Sequence, residues 1–518
     1  MRGGDQIGDG PASVRPWWET RWFVALLILL AAVPLLYPRI PPLVDLLGHM
    51  GRYRVELDLA SSPWLKRYYG FHWAAIGNLG VDILVLPFAK LFGLELGVKL
   101  IVLAIPPLTV AGFLWVAREV HGRIPPTALF ALPFVYSQPF MYGFVNYVLA
   151  IALAFLAFGL WLHLGRREKL KLRAILFVPI SLILFFTHTY GWGVLGLLCF
   201  SAEAVRQHDR GAGWFKSAIF AGLQAAVMIL PLFIMLAWRE ETSGGMIRGW
   251  FHWKWKWVYL QQSLRDRWEW FDKGALMVAA LILLLAIFHR RLAFSRNLFF
   301  SMLILLLGFI IIPRTIFGSH YADMRLIPFV IAVGLLAIRF KGLEATPKLA
   351  TALAIAGLSF YVLRIAGHTL SLGIAADDQN AKLEALNHVP MGARVASMVG
   401  QERCDRAWNM PRNSHLGGMV IVRKHGFSND QWSIQGQNLL QLRYHEPGLY
   451  RADPSQMVRA MTCRQRTAWR VDYAFSKLPR DKLDYLWMID PPPIDPKWVE
   501  GMEEVWRGKG SILYRLNP

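Results

Sequence analysis

The stretch Pro41–Gly70, "PPLVDLLGHMGRYRVELDLASSPWLKRYYG", follows the first apolar run of the chain and is too charged to cross a bilayer. It holds Asp45, His49, Arg52, Glu56 and Asp58. On a helix, Asp45, His49 and Arg52 fall at i, i+4 and i+7 and share one face, with Glu56 a turn further along. Two readings of that face are open. A carboxylate just outside a membrane can take the proton of an acceptor hydroxyl while its neighbours orient it or hold a leaving phosphate. A surface helix turning its charges to lipid headgroups has the same pattern.

The surroundings of this stretch point to a membrane protein. The 518 residues are 55% hydrophobic with a mean hydropathy of +0.35, a combination seldom found in soluble globular chains of this length. A spanning helix needs ~20 mostly apolar residues. Such runs lie at 22–38, 97–117, 126–140, 146–164, 174–189, 191–206, 217–238, 274–290, 297–313, 325–340 and 348–367. The expected fold is therefore a polytopic α-helical membrane protein with about 11 transmembrane helices. No small-residue cleavage site follows the first run, which is expected to stay as a span. The apolar stretch 73–93 contains Asn78, Asp82, Pro87 and Lys90. It is predicted to be a re-entrant or juxtamembrane hairpin on the outer side.

The net charge of +21 does not indicate nucleic acid. Lys and Arg concentrate in short loops such as "GRREKLKLR" (165–173), a positive-inside bias and not one basic face of a soluble domain. This bias puts the N-terminus inside and the tail outside. There is no P-loop, no GxGxxG after a strand, no HExxH, no GxSxG and no paired CxxC, so ATP-driven, dinucleotide-dependent and zinc-protease chemistries have no support.

On the outer side lie the loop 39–96, the tips near 137–146 and 187–191, the loops 239–273 and 314–324, and the tail. Tyr142 sits in the first tip and His188, in "THTYGW", in the second. His188 reads as a hydrogen-bonded buried histidine or as a lining of a substrate site. The Trp-rich run "RGWFHWKWKWVYLQQSLRDRWEW" bears Arg248, Lys254 and Lys256. It suits an interfacial anchor, or a cover over a lipid phosphate. "GSHYADMRLIPF" puts His320, Asp323 and Arg325 where a loop meets a span. Arginine at that depth needs a partner. A phosphate held bidentately is one, and Asp323 is the simpler one. Glu56 and Asp58, in "ELD", suit in principle a divalent cation such as Mg or Mn, although two acids two residues apart are common by chance.

Residues 1–374 are expected to form the multi-span region, with 39–96 as its candidate catalytic first outer loop. Residues 375–518 read as a soluble extracytoplasmic α/β domain. A helix is expected at Asp378–Asn387, and strands at "ARVASMV", "GGMVIVR", "DYLWMID" and "SILYRL". Cys404 and Cys463 in an exported domain are either bridged or two free thiols, and Cys199 falls in a span.

This arrangement resembles the GT-C superfamily of integral-membrane glycosyltransferases. "DLLGHMGR", from Asp45, is similar to an Asp-x-x-x-His-x-x-Arg stretch of some bacterial members. "NLGVD" (Asn78–Asp82) resembles a later piece of the same loop, and "ADMRLIPF" the arginine-bearing start of a late span. The resemblance implies a polyprenyl-phosphate-linked sugar donor, an extracytoplasmic acceptor (lipid or envelope glycan) and an inverting transfer at the outer face of the inner (cytoplasmic) membrane. Asp45 would be the general base beside His49 and Arg52. Arg325, His320, Asp323, His188, Lys254, Arg248, Asn78 and Tyr142 would contact substrate. A strict Asp-x-Asp is missing, and only Glu56-Leu57-Asp58 approximates it. A transporter or flippase of a lipid-linked saccharide would instead place polar groups through the midplane and show inverted repeats. A non-catalytic envelope assembly protein would leave the loop acids dispensable.

Overall fold

In lipid a backbone must satisfy its N–H and C=O groups internally, so apolar runs of this length become helices. The computed structural model describes residues 16–239, 247–316, 320–342, 346–401, 403–404, 407–432, 439–464 and 468–516. Among them, five helices are long and apolar enough to cross a membrane, and a sixth results if the pair Trp214–Met228 and Leu230–Ala237, bent by 63°, is one span. Shorter apolar helices occupy Arg21–Leu35, Arg296–Ile311 and Ile327–Leu336.

One predicted span takes a different form. Residues 126–140 make a wholly buried 3-10 helix, Pro126–Tyr136, followed by the short helix Gln138–Met141. Pro133 lies inside the first of these and removes a backbone donor that an α-helix would use. The stretch 73–93 yields the helix Gly80–Phe92, which turns at Gly93 into the long helix Leu94–His121 and packs along it.

The last apolar run continues as helix well past 367. Helix Pro347–Leu383 runs unbroken through 374/375, where the sequence suggests a domain boundary, and absorbs most of the helix expected at Asp378–Asn387. Beyond it, the described residues form a seven-stranded sheet in the order Glu503–Gly508, Ser511–Arg515, Tyr485–Ile489, Arg394–Gly400, Met457–Arg459, Trp469–Arg470, with Phe427–Ser428 also on Arg394–Gly400. Arg394–Gly400 is parallel to Tyr485–Ile489, Met457–Arg459 and Phe427–Ser428. Strands covered on both faces read as continuous apolar runs, and all of Tyr485–Ile489 is buried. "GGMVIVR", expected as a strand, is the helix Gly418–Lys424. It packs against helix Leu46–Asp58 of the first outer loop, with Ile421 against Gly51, and that tertiary contact overrides strand propensity.

The outer loop and the C-terminal domain interlock. Tyr69–Phe71 pairs antiparallel with Leu440–Leu442. Helix Leu46–Asp58 crosses Gly418–Lys424 so closely that a Cβ on Gly418 would lie 2.5 Å from the Leu47 carbonyl oxygen. Cys404 and Cys463 are bridged, their Cα atoms 5.1 Å apart.

Candidate active site

A cavity of about 3000 Å³ opens where the helical region meets the C-terminal domain. It is lined by the first outer loop, the tips near 142 and 188, the 248–267 and 314–325 segments, and the C-terminal domain. Asp45 stands at the N-terminal end of helix Leu46–Asp58 and lines this cavity. Its backbone is held from the side. The Asp45 N–H donates to the Tyr142 carbonyl at 2.9 Å and that of Val44 to Met141 at 3.3 Å. Gly143, at φ +82°, permits this approach, since a Cβ there would sit 3.0 Å from the Leu46 nitrogen.

The side chain of Asp45 is 19% exposed. His415 of the C-terminal domain faces it, Nε2 to Oδ1 at 3.9 Å. His415 Nδ1 lies 3.2 Å from the Asp430 carbonyl oxygen and 3.7 Å from its carboxylate. Burial raises the Asp45 pKa, with Asp453 adding to the rise, while His415 and Arg325 oppose it; the result is about 6. Burial disfavours charge on His415. The Asp430 hydrogen bond and the fields of Asp453, Asp45 and Asp430 outweigh that and raise it to about 9. Asp453 also lines the cavity, accepts from Gln456 Nε2 at 2.6 Å, and is raised chiefly by burial. At neutral pH the site therefore holds an ionised Asp45 beside an imidazolium.

His49 lines the cavity, its ring 5.0 Å from that of Trp432. Burial, then Arg52 and His415, hold it well below its usual range, so it is neutral. Arg52 borders the same cavity, but its guanidinium is committed to Asp82 in a buried ion pair of 2.8 Å. Asn146 Nδ2 bridges Asp82 and Asn78 at 3.0 Å each, so Asn78 reaches the cavity as part of a fixed network. The expected face of Asp45, His49 and Arg52 thus exists, with Arg52 acting as a brace.

Arg325 meets the cavity within an aromatic cage, its guanidinium 4.7 Å from the Phe144 ring, 5.4 Å from Tyr190 and 5.8 Å from Tyr147. Asp323, expected as its structural partner or as a substrate contact, is fully buried and pairs with Lys256 at 3.1 Å. Lys256 also donates to the Phe309 and Ile312 carbonyls, which removes it from any phosphate. Arg248 and Lys254 are exposed and line the cavity, as does His320, whose Nδ1 is 3.1 Å from Thr315 Oγ1. His188 breaks the helix between Thr187 and Thr189, accepts from the Tyr190 N–H at 3.1 Å and lines the cavity beside Tyr147. Tyr142 lines it too.

The two acids of "ELD" are not brought together on the helix. Positions two apart on a helix point about 200° from each other. Asp58 accepts from Arg54 at 2.5 Å, and Glu56 is raised to about 9 by burial and then by Asp82, so it is neutral at pH 7. Among the described residues no group of three or more His, Cys, Asp and Glu is placed to hold a metal ion.

His415, Asp430, Asp453 and Arg314 escaped the sequence reading. Arg314 lines the cavity over the Trp255 ring at 4.0 Å and donates to the Tyr259 hydroxyl at 2.9 Å. Its signal was present, a cation beside an already suspected loop. The C-terminal residues lie in no motif.

No family model matches the chain, and no curated protein does. Solved structures do. The chain is similar to the crystal structure of ArnT from Cupriavidus metallidurans in the apo state (TM-score 0.48, 14% identity, 96% of this chain and 97% of that one). It is also similar to the form of that protein bound to undecaprenyl phosphate (TM-score 0.46, 12% identity, 95% and 96%).

Proposed function

We propose that the chain is a GT-C-type membrane glycosyltransferase that moves a sugar from a polyprenyl-phosphate donor to an extracytoplasmic acceptor, a lipid or envelope glycan. One observation carries this reading: an ionisable carboxylate, Asp45, and a guanidinium, Arg325, face one large cavity between apolar helices and a polar domain. Asp45 takes the acceptor hydroxyl proton as the new C–O bond forms at the anomeric carbon. The bond from that carbon to the donor phosphate oxygen breaks, and polyprenyl phosphate leaves with its electron pair. Attack from the face opposite the phosphate inverts the centre. Arg325, with Arg248 and Lys254 at the rim, steadies the phosphate charge.

The C-terminal domain supports an acceptor role. Gly400, Arg459 and Asp490, at or next to the carboxyl ends of its parallel strands, line the same cavity. Ligands of parallel sheets bind at that edge. Binding both substrates there turns an encounter into an oriented reaction. The chain is read as integral to the inner membrane with this cavity outside.

The test is turnover of a polyprenyl-phosphate-linked sugar by purified protein, compared with Asp45→Asn. The amide is nearly isosteric but cannot take the proton, so a loss of about 10²–10⁴-fold with intact donor binding is expected. Full activity in a folded Asp45→Asn protein would overturn the assignment. Donor movement across vesicles without sugar transfer would favour a flippase.

A further inference from the structure

We propose that His415, supplied by the C-terminal domain and braced by Asp430, is a positioning residue for Asp45: its imidazolium keeps the Asp45 carboxylate charged and aimed at the acceptor hydroxyl. This inference rests on the reading of Asp45 as the base. His415 itself transfers no proton.

The geometry is that of a fixed counter-charge. His415 Nε2 stands 3.9 Å from Asp45 Oδ1, near enough for strong attraction in a buried site. Its other nitrogen is held at 3.2 Å by the Asp430 carbonyl, and its ring lies 4.5 Å from the Trp432 ring. The orientation is therefore set from the side away from Asp45.

The segment bearing His415 is clamped to the helical region. Arg265 donates to the carbonyls of Ala407, Trp408 and Asn409. Trp408 Nε1 donates to Asp272 at 2.8 Å, and the Met410 N–H to the Asp266 carbonyl at 3.1 Å. Arg412 forms a buried ion pair with Asp266, whose carboxylate also meets His368 at 2.8 Å. Gln379 Nε2 donates to the Arg412 carbonyl at 2.8 Å. A loop that only covered a cavity would not need so many buried anchors. These fix the position of His415 relative to Asp45.

The charged groups around the pair favour this role. Asp45 faces His415, Asp453 and Arg325. His415 faces Asp430, Asp453 and Asp45, and also influences His49, which burial and then Arg52 keep neutral. Removing the imidazolium leaves burial and Asp453 to push Asp45 upward, with Arg325 as the remaining opposing charge.

The experiment is kcat/KM against pH for wild type, His415→Asn and His415→Lys, with a polyprenyl-phosphate-linked sugar as donor. Asparagine keeps the contact to Asp430 and removes the charge. The acid limb should move up by about one pH unit. Lysine restores the charge, and the limb should return toward the wild-type position. A purely structural role would lower kcat and leave the limb in place, and an unmoved limb in His415→Asn overturns the proposal. Should that variant melt early, Asp430→Asn, which weakens the charge on an intact imidazole, must shift the limb the same way or the proposal fails. If Asp45→Asn stays fully active, it is the base assignment that has failed.

Discussion

Lys256 donates to Asp323 across 3.1 Å with both side chains buried, so the acid two residues before Arg325 is neutralised from another segment. Breaking a buried pair on one side leaves an uncompensated charge and costs about 3–5 kcal/mol. Lys256→Met is expected to lower stability by that amount. The double variant Lys256→Met/Asp323→Leu should recover most of it. Denaturant unfolding of detergent-solubilised protein measures both, and equal losses in the single and double variants would refute the pairing.

Arg325→Ala should then affect binding more than folding, because Asp323 keeps its partner. Charge-assisted hydrogen bonds are worth about 1.5–3 kcal/mol, so donor affinity is expected to fall by roughly 10–100-fold. Titration of the polyprenyl-phosphate donor checks this. An unchanged Kd would remove Arg325 from the phosphate site.

The bridge between Cys404 and Cys463 closes a loop of 59 residues beside the cavity. Alkylation under denaturing conditions should label only Cys199 without reductant and all three cysteines after reduction, as read by mass spectrometry. Cys404→Ser/Cys463→Ser should cost about 2–4 kcal/mol. Labelling of three cysteines before reduction would contradict the bridge.

Reporter fusions after Lys169 and after the last residue should give opposite signals, the first inside and the second outside. The motive is the basic loop 165–173. Matching signals would put the C-terminal domain, and the cavity with it, on the other side of the membrane.

The sequence exposes what single residues announce and hides what depends on pairing. Asp45, His49 and Arg325 stand out as charges at the edges of apolar runs, and all three line the cavity. Arg52 looked like their companion because helix phase alone places it there. Its partner Asp82 is 30 residues away and needs tertiary structure to be found. Lys254 and Lys256 are equivalent in composition, yet one is exposed and the other buried, a matter of local phase. His415 had no signal beyond the two glycines that follow it, Gly417 and Gly418. Only the fold shows that Gly418 lets the helix after His415 touch Leu47, while Gly417 sits against Ser397 and Ser428. The strand misread at 417–423 has the same origin, since Met-Val-Ile-Val says nothing of the helix it packs on.

Helix Pro347–Leu383 has 37 residues, about 56 Å at ~1.5 Å per residue, whereas a hydrocarbon core is about 30 Å thick. Its far half, from about His368, meets the clamp of the 407–415 segment through Asp266, Asp378 and Gln379. The helix therefore works as a ruler standing in the bilayer. The number of residues between its apolar half and Gln379 sets the height at which His415 hangs over Asp45. A full extra turn would lift that mark by about 5.4 Å, more than the gap between the two side chains.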